Sequence, residues 1–297
     1  MRGAERGLLL LTGALGDPHR KPLTVAQLRV LASRVRESQK ALQDRDLTEK
    51  DLTSWGYPVE TAQHILHLLS ETVVLDRYLQ RGELAGCVPV TRVSDWYPEV
   101  LLQRLGLESP GCIWAKGDVS LLNMPKVSLV GSREIYPANR AFAWEVGAQA
   151  AKQGYALVSG NARGADRIAQ TACLKNGGTV ICVVADSLED KATQENILYL
   201  SECDFDQPFT AQRAISRNRI IHALGEKTFV AQCAYQTGGT WDGTVKNLRH
   251  GWSPVFCLVD GSEACGELQQ MGAVGITSRD LVNLKQLQSN HISFFDQ

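Results

Sequence analysis

The sequence predicts an α/β fold in which a doubly wound, mostly parallel sheet is preceded by a small helical domain. Up to about Leu84 of the 297 residues, apolar residues recur at spacings of three and four, as in amphipathic helices. From Lys126 onward, short runs rich in valine and isoleucine alternate with segments long enough for a helix. Near-continuous apolar strands separated by helices are typical of a parallel sheet covered on both faces. We therefore expect a Rossmann-like sheet.

The helical domain is predicted over residues 1–84. Its apolar spacing is clear in residues 25–35 and again in residues 65–73, and proline and glycine divide it into short helices. Its basic excess is modest. A small bundle with a solvated, charged surface is therefore the simpler interpretation, and a second nucleic-acid-binding surface is the alternative.

The second domain is predicted over residues 85–297. It begins with a turn-rich connector, residues 86–125, that leads into the sheet. The predicted strands are Val127 to Gly131, Tyr155 to Gly160, Thr179 to Asp186, Thr228 to Tyr235 and Pro254 to Asp260. Right-handed crossovers gather the loops that leave parallel strands at one sheet edge, where ligands bind. Functional residues are therefore expected in those loops.

Composition limits the function classes. Lysine plus arginine number 31 against 32 acids, for a formal net charge of -1, which excludes a protein that coats nucleic acid by bulk charge. A local basic site remains compatible with that balance. The eight cysteines are scattered without a Cys-x-x-Cys pair, which predicts reduced thiols, no metal site and a reducing compartment. No apolar stretch is long enough for a membrane span, so a cytoplasmic location is expected.

Two of the strand-to-helix loops have the composition of phosphate-binding loops. Gly131-Ser132-Arg133 ends the first predicted strand, and Pro137 then suits the first turn of a helix. The second predicted strand leads into Ser159-Gly160-Asn161-Ala162-Arg163-Gly164-Ala165-Asp166. Glycine lets the backbone approach a ligand closely, a hydroxyl can donate, and an arginine can donate two parallel hydrogen bonds to phosphate oxygens. An ordinary structural turn is the alternative for each loop.

A third element is Arg217-Asn218-Arg219, interpreted as a first helical turn capped by Ser216. Cations there oppose the helix macrodipole at about 0.3 to 1 kcal/mol each, so two arginines call for a compensating anion. A bound phosphate at the helix start would supply it. The alternative is salt bridging to the acidic stretch from Asp186 to Asp206, which holds seven acids.

A fourth element, Thr237-Gly238-Gly239-Thr240, follows a predicted strand and places backbone donors at the same edge, unless it is a generic turn. Nothing in these loops predicts catalysis. His222 is expected to be a packing residue, and the carboxylates of Asp166 and Asp242 form no recognisable pair. Neither a dinucleotide-binding fingerprint nor a Gly-x-x-x-x-Gly-Lys-Ser/Thr element is present, and no cofactor is implied.

The order and spacing of these motifs carry a family resemblance. The glycine-rich loops at residues 131–133 and 159–166 are followed by Arg217-Asn218-Arg219-Ile220-Ile221, and they are preceded by Tyr97-Pro98 and by Trp114-Ala115-Lys116-Gly117-Asp118. This combination resembles the DNA-processing protein A (DprA/Smf) family over roughly Tyr97 to Leu284. The family combines a small helical domain with a Rossmann-like domain.

The resemblance implies binding of single-stranded DNA without hydrolysis. In the family, such binding loads or protects strands for a RecA-type recombinase during natural transformation and DNA recombination, typically by a homodimer. By the same resemblance, Arg133 holds a phosphate, Arg163 supports the second loop, and Arg217 with Arg219 lines a positive pocket.

The sequence also departs from the family pattern. Asn161 replaces an apolar residue, Ala165 replaces a branched one, and a polar tail that ends at Gln297 follows Leu284 where a winged helix is expected. A divergent duty, such as phage defence, is therefore one alternative. A second is a nucleotide sensor or an enzyme similar to the phosphoribohydrolases, which Thr237-Gly238-Gly239-Thr240 resembles. Those enzymes need a glutamate after the glycines, and Asp242 is the nearest acid here.

Overall fold

A nine-stranded sheet organises the protein. The computed structural model describes residues 1–38 and 46–289, so the tail beyond them lies outside the described residues. The strands are β1 (Cys87–Thr91), β2 (Cys112–Lys116), β3 (Lys126–Val130), β4 (Ala156–Ser159), β5 (Thr179–Val183), β6 (Ile197–Ser201), β7 (Thr228–Val230), β8 (Val255–Leu258) and β9 (Val274–Ile276). They lie side by side in the order β1-β2-β6-β5-β4-β3-β7-β8-β9.

Helices precede the sheet and cover both of its faces. They are α1 (Gly3–Thr12), α2 (Val25–Glu37), α3 (Glu49–Ser54), α4 (Val59–Ser70), α5 (Thr72–Leu84), α6 (Glu99–Leu105), α7 (Pro137–Lys152), α8 (Ala165–Lys175), α9 (Ala211–Ser216), α10 (Asn218–Leu224), α11 (Gly238–His250) and α12 (Glu263–Gln270). A 3-10 segment, Ser278–Gln286, follows β9. Pro137 is the first residue of α7, where its missing N–H costs nothing.

The α/β fold class and the doubly wound topology are confirmed. Strands β6, β5, β4, β3, β7, β8 and β9 pair in parallel, and among the strands of the described residues only the β1–β2 and β2–β6 pairs are antiparallel. Successive strands extend from β3 through β4 and β5 to one side, and from β7 through β8 to the other. The direction of winding therefore reverses between β3 and β7. Such a switch point is where ligands bind in doubly wound sheets.

Four strands are absent from the predicted set. The connector at residues 86–125 contains β1 and β2, which form an antiparallel edge in which Pro89 sits on the outermost strand. An edge strand tolerates proline because one row of its backbone groups has no ladder partner. The other two missed strands are β6, within the acidic stretch, and the three-residue β9. The predicted strand that ends at Tyr235 stops at Val230, and its remaining residues form a loop at the switch point.

The helices of residues 1–84 pack in two places. Leu31, Leu52, Ile65 and Leu68 form a small core of their own between α2, α3 and α4. By contrast, α1 and α5 contribute to the core beneath the sheet, where Tyr78 lies 4.7 Å from Phe205 between ring centroids. Helix α5 is therefore packed directly on the sheet.

Two carboxylates of the acidic stretch hold these helices to the sheet. Asp204 accepts hydrogen bonds from the backbone N–H groups of Ala14 and Leu15, at 2.9 and 3.1 Å. Asp206 accepts one from the Tyr78 hydroxyl at 2.8 Å and pairs with Arg81. Burial raises the pKa of Asp204 above its ordinary value, while the two backbone donors oppose that rise. Part of the acidic stretch therefore serves architecture.

All eight cysteines are free thiols, and six of them are buried. Within residues 1–38 and 46–289, no cluster of three or more histidine, cysteine or acidic side chains is placed to hold a metal ion. Over the same residues, no helix is both long and apolar enough to cross a membrane.

Candidate nucleic-acid interface

A cleft of about 490 Å³ opens at the switch point of the sheet, over the carboxyl ends of β3 and β7. We call it the switch-point cleft. The predicted site residues that line it are Gly131, Ser132, Arg133, Arg217, Asn218, Gly238, Gly239 and Thr240. Ala162 and Asp166 of the second loop line it too, so all four predicted elements meet in one cavity, although they are far apart in the sequence.

A second cleft of about 300 Å³, the adjoining cleft, continues past the end of β4. Gly160 and Arg163 line it, and it shares Arg133 and Arg217 with the switch-point cleft. The two clefts are thus connected through these two arginines, beside the second loop. Gly164 lies one step further, in a groove on the outer side of the same loop.

Arg217 is a buried cation at the junction of α9 and α10. Its side chain is only 8% exposed, and its guanidinium donates to the backbone oxygen of Gly160 at 3.0 Å and to Asn218 Oδ1 at 2.7 Å. A Cβ on residue 160 would lie 2.1 Å from this guanidinium, so glycine is required for the approach. Arg217 Nε is buried and has no hydrogen-bond partner within the described structure.

The charge of Arg217 is incompletely compensated. No carboxylate of the described residues lies within ion-pair distance of it, and burial lowers the pKa of its guanidinium. Arginine nevertheless keeps its proton in proteins. A buried, protonated guanidinium that lines a cleft without a carboxylate partner favours an anionic ligand, because an unpaired buried charge is costly.

Asp166 shapes the second loop and does not serve as the missing partner. Its Oδ2 accepts hydrogen bonds from the backbone N–H groups of Gly160 and Ala162, both at 3.1 Å. Burial raises the pKa of this carboxyl, while Arg217 and the two backbone donors act in the opposite direction. Asn161, between the two bonded positions, has φ of 58°, a conformation that asparagine tolerates better than most residues. The departure from the family pattern at residue 161 thus fits the loop conformation.

The start of α11 faces the switch-point cleft. Thr237 is its N-cap residue, but no side chain caps the helix, and the first turn is Gly238, Gly239 and Thr240. The first N–H groups of a helix have no partner within it and carry partial positive charge. The predicted glycine turn is therefore the beginning of a 13-residue helix.

Two predicted site residues lie elsewhere. Arg219 lines neither the switch-point cleft nor the adjoining cleft, because its guanidinium pairs with Glu202 at 2.5 Å. This is the salt-bridge alternative that the sequence left open, and it holds for Arg219 and not for Arg217. Ser159 is fully buried and accepts a hydrogen bond from Gln170 at 2.6 Å, so its role is structural.

The predicted helix start at Arg217 is wrong. Ser216 is the last residue of α9, and Arg217 continues in the right-handed helical region between α9 and α10. Its N–H donates to the Arg213 oxygen at 3.0 Å. Because α9 leads directly into α10, the start of α10 is not an open helix N-terminus that could bind a phosphate. The helix N-terminus that faces this cleft without a side-chain cap is that of α11. The Ser216 hydroxyl instead accepts from Arg219 at 2.8 Å.

The sequence interpretation missed Phe209. This side chain is 54% exposed and lines both clefts, just before α9. An exposed aromatic ring beside buried and exposed arginines is a platform on which an unpaired base can stack. Its signal in the sequence is an isolated phenylalanine in the polar segment between Asp206 and Arg213.

His222 is a fully buried neutral histidine behind the cleft. Asn247 Nδ2 donates to its Nδ1 at 3.1 Å, and the backbone N–H of Ser253 fixes the orientation of the Asn247 amide. The ring proton then resides on Nε2, which has no partner within the described structure. Burial, with a smaller effect of Arg217, lowers the pKa of His222 to about 3. The packing role predicted from the sequence fits this environment.

This histidine makes folding stability depend on pH. In the unfolded chain His222 binds a proton below about pH 6.5, whereas in the folded protein it stays neutral down to about pH 3. Acidification between these values therefore favours unfolding. At pH 5 the loss amounts to about 2 kcal/mol. We expect urea unfolding of His222→Asn to lose about that much less stability than the parent between pH 7 and pH 5. Parallel pH profiles would contradict the assigned protonation state.

Comparisons with known proteins agree with this geometry. The model of the family "DNA recombination-mediator protein A" matches residues 89–284. The chain is 32% identical over 199 residues to the DNA processing protein DprA of Streptococcus pneumoniae, which covers 63% of the chain and 70% of that protein. It is 26% identical over 211 residues to the protein Smf of Escherichia coli, covering 66% of the chain and 55% of Smf. The chain thus spans little more than half of Smf.

Two solved structures share the fold. The X-ray structure of DprA from Streptococcus pneumoniae superposes with a TM-score of 0.68 at 24% identity, over 88% of this chain and 97% of that chain. A DprA structure from Helicobacter pylori, described for its single-stranded DNA binding mode, superposes with a TM-score of 0.55 at 24% identity. That match covers 66% of this chain and 94% of the other.

Proposed function

The chain belongs to the DNA recombination-mediator protein A family, and from this premise we propose that it binds single-stranded DNA, without hydrolysing it, along the switch-point and adjoining clefts. The observation that carries the proposal is Arg217, a guanidinium with 8% exposure that lines both clefts and has no carboxylate partner in the described structure. A DNA phosphate is the anion that satisfies it.

The remaining phosphate contacts come from surrounding groups. Arg133 is exposed, lines both clefts and forms no ion pair with another described residue. The uncapped first turn of α11 adds backbone donors on the other side of the switch-point cleft. Guanidinium groups and helix N-termini both suit phosphate oxygens. Binding of this kind depends on the backbone of the nucleic acid and is independent of its sequence.

Single strands fit this arrangement better than a duplex. Phe209 is exposed where the two clefts meet, and stacking on it requires a base that is free of its partner. A duplex keeps its bases stacked and paired, so it would contact exposed arginines such as Arg133 but would not stack on Phe209.

The nucleotide-processing alternative lacks its chemical groups. Asp242, the acid nearest the glycines of α11, is exposed and lines neither cleft. Asp166 lines the switch-point cleft, but its Oδ2 is engaged by two loop N–H groups. Neither carboxylate is placed as a free general base, which supports binding without catalysis.

We also propose that the bound strand is passed to a RecA-type recombinase during DNA uptake and recombination, and that the protein acts as a homodimer. Membership of a recombination-mediator family and similarity to DNA processing proteins support the first point, and the dimer is what the family resemblance of the motifs implies. Native mass spectrometry would measure the subunit number directly, and a mass of one chain in every condition would contradict the dimer.

A competition assay tests the function. Fluorescence anisotropy with a labelled oligonucleotide of about 20 nucleotides should show binding that unlabelled single strands displace, whereas equal amounts of duplex or of a mononucleotide do not. The absence of binding would overturn the proposal. Displacement by a mononucleotide at equal concentration, or release of a nucleotide from the denatured protein, would favour the sensor instead.

A further inference from the structure

A third depression continues from the two clefts onto the outer surface of α7 and α8. It measures about 500 Å³ and is called here the α7–α8 groove. Four arginines and one tryptophan dominate its lining: Arg133, Arg140, Arg163, Arg167 and Trp144. Arg133 also lines both clefts, and Arg163 and Arg167 also line the adjoining cleft. The three depressions therefore adjoin one another through shared arginines.

The arginines of the groove have no acidic counterparts. No carboxylate lines it, and none of the four guanidinium groups forms an ion pair with a residue in the described ranges. The Arg167 guanidinium makes one hydrogen bond within the described structure, to the backbone oxygen of Asn161 at 3.3 Å. Like charges crowded in this way repel one another unless anions lie between them.

The positions of two of these arginines are unfavourable in isolation. Arg140 is the fourth residue of α7 and Arg167 the third of α8, so both lie near helix N-termini, where the macrodipole disfavours cations. Neither residue gains a carboxylate in return. Phosphate groups in the groove would compensate both the macrodipole and the mutual repulsion.

Trp144 gives the groove an aromatic surface. It follows Arg140 by four residues on α7, so the two side chains share a helix face, and 39% of Trp144 is exposed. The Lys175 ammonium lies 5.6 Å from its ring centroid. Alternating arginines and an exposed aromatic ring are the pattern by which proteins track a single strand.

We propose that the α7–α8 groove is a second binding segment for single-stranded DNA, in which Arg140 and Arg167 hold phosphates and Trp144 stacks a base. The proposal rests on the proposed function, because it extends the strand that the two clefts hold. Arg133 and Arg163 join the segments, so a strand that leaves the adjoining cleft passes directly onto α7 and α8. The bound path is thereby longer than the switch-point region alone.

Equilibrium binding of an oligonucleotide of about 20 nucleotides tests the groove. Trp144→Ala and Arg140→Gln change residues that line the groove and neither cleft, so each should weaken binding about 5- to 20-fold, and Arg140→Gln should also flatten the salt dependence. Matched controls are Trp96→Ala, a 46% exposed tryptophan outside the groove, and Lys152→Gln in the last turn of α7. Lys152 lies about 18 Å along the helix from Arg140, and both controls should bind as the parent does.

A fluorescence measurement separates stacking from a structural role of Trp144. Oligothymidine should quench the tryptophan emission of the parent, and Trp144→Phe should lose most of that quenching while its melting temperature stays unchanged. Trp96→Phe should be quenched like the parent.

The outcomes distinguish the two proposals. If Arg133→Gln weakens binding but the groove variants bind and quench like the parent, the groove is overturned and the clefts remain. If the groove variants lose affinity for duplex DNA but keep their affinity for single strands, the groove is overturned as a binding segment for single-stranded DNA. If the parent binds no single strand, both proposals fail together.

Discussion

Arg133→Gln lowers the affinity for single-stranded DNA by about ten- to a hundredfold at low salt, which makes it the most damaging single exchange on the binding surface. Arg133 lines the switch-point cleft, the adjoining cleft and the α7–α8 groove. Losing a hydrogen-bonded charge costs about 1.5 to 3 kcal/mol, which corresponds to that range of affinity. Because the side chain is exposed and has no ion pair with a described residue, the fold should not suffer.

Arg219→Gln is the matched control for this prediction. It removes the same charge from an arginine that pairs with Glu202 and lines neither cleft. The affinity of Arg219→Gln for single-stranded DNA should stay within about twofold of that of the parent, since Arg219 lies outside the proposed binding path and already pairs with Glu202. Anisotropy titrations of both variants at one salt concentration measure the difference. Equal losses in the two variants would show that general charge, and not the cleft geometry, governs binding.

Gly147→Ala destabilises the fold by about 3 kcal/mol, the largest stability effect expected for a change of one methyl group. Gly147 lies on α7 where that helix crosses α8, and a Cβ at this position would lie 2.0 Å from the backbone oxygen of Ala169. The contacting atoms belong to the backbone, so they cannot move aside as a flexible side chain would. The two helices must separate, and the Arg133 loop and the groove between them move with them.

A second helical glycine provides the control for Gly147. Gly266 lies inside α12, and a Cβ built there would meet nothing within 4 Å. Gly266→Ala should therefore stabilise the protein by about 0.5 to 1 kcal/mol, because alanine favours the helix. Urea unfolding measures both variants. A Gly147→Ala variant as stable as Gly266→Ala would show that α7 and α8 do not approach as closely as described.

The parts of the fold that the sequence predicted share one physical property. Strands β3, β4, β5 and β8 are fully or almost fully buried, so their sequences are mostly apolar on both faces. Strand β1 lies at the sheet edge, where burial is uneven, and β9 has only three residues, so each carries too few apolar residues to distinguish it from a connector. Strands β2 and β6 are buried, but their short apolar runs lie within a turn-rich connector and an acidic stretch, which hid them.

The candidate site was predictable in its loops but not in its pairings. Gly131, Arg133 and Gly160 follow buried strands, and strand ends of a parallel sheet meet at one edge, so their proximity follows from topology. Whether an arginine faces the cleft or a carboxylate depends on side-chain direction. Arg217 and Arg219 are two residues apart and point to different places, one against Gly160 and the other against Glu202.

The sequence did not predict the residues of the α7–α8 groove, for a related reason. Arg140, Trp144 and Arg167 sit on helices, where an exposed arginine or tryptophan is common and has no motif around it. Only the packing of α7 on α8 assembles them with Arg163 into one surface. These residues are therefore recognisable as one site only from the tertiary structure.

The salt dependence of single-strand binding tests the central claim most directly. If Arg133, Arg163 and Arg217 each neutralise a phosphate, the logarithm of the association constant should fall against the logarithm of salt concentration with a slope of about −2 or steeper. Arg133→Gln should reduce that slope by about 0.7. A slope near zero in the parent, or an unchanged slope in Arg133→Gln, would contradict phosphate binding in the switch-point cleft.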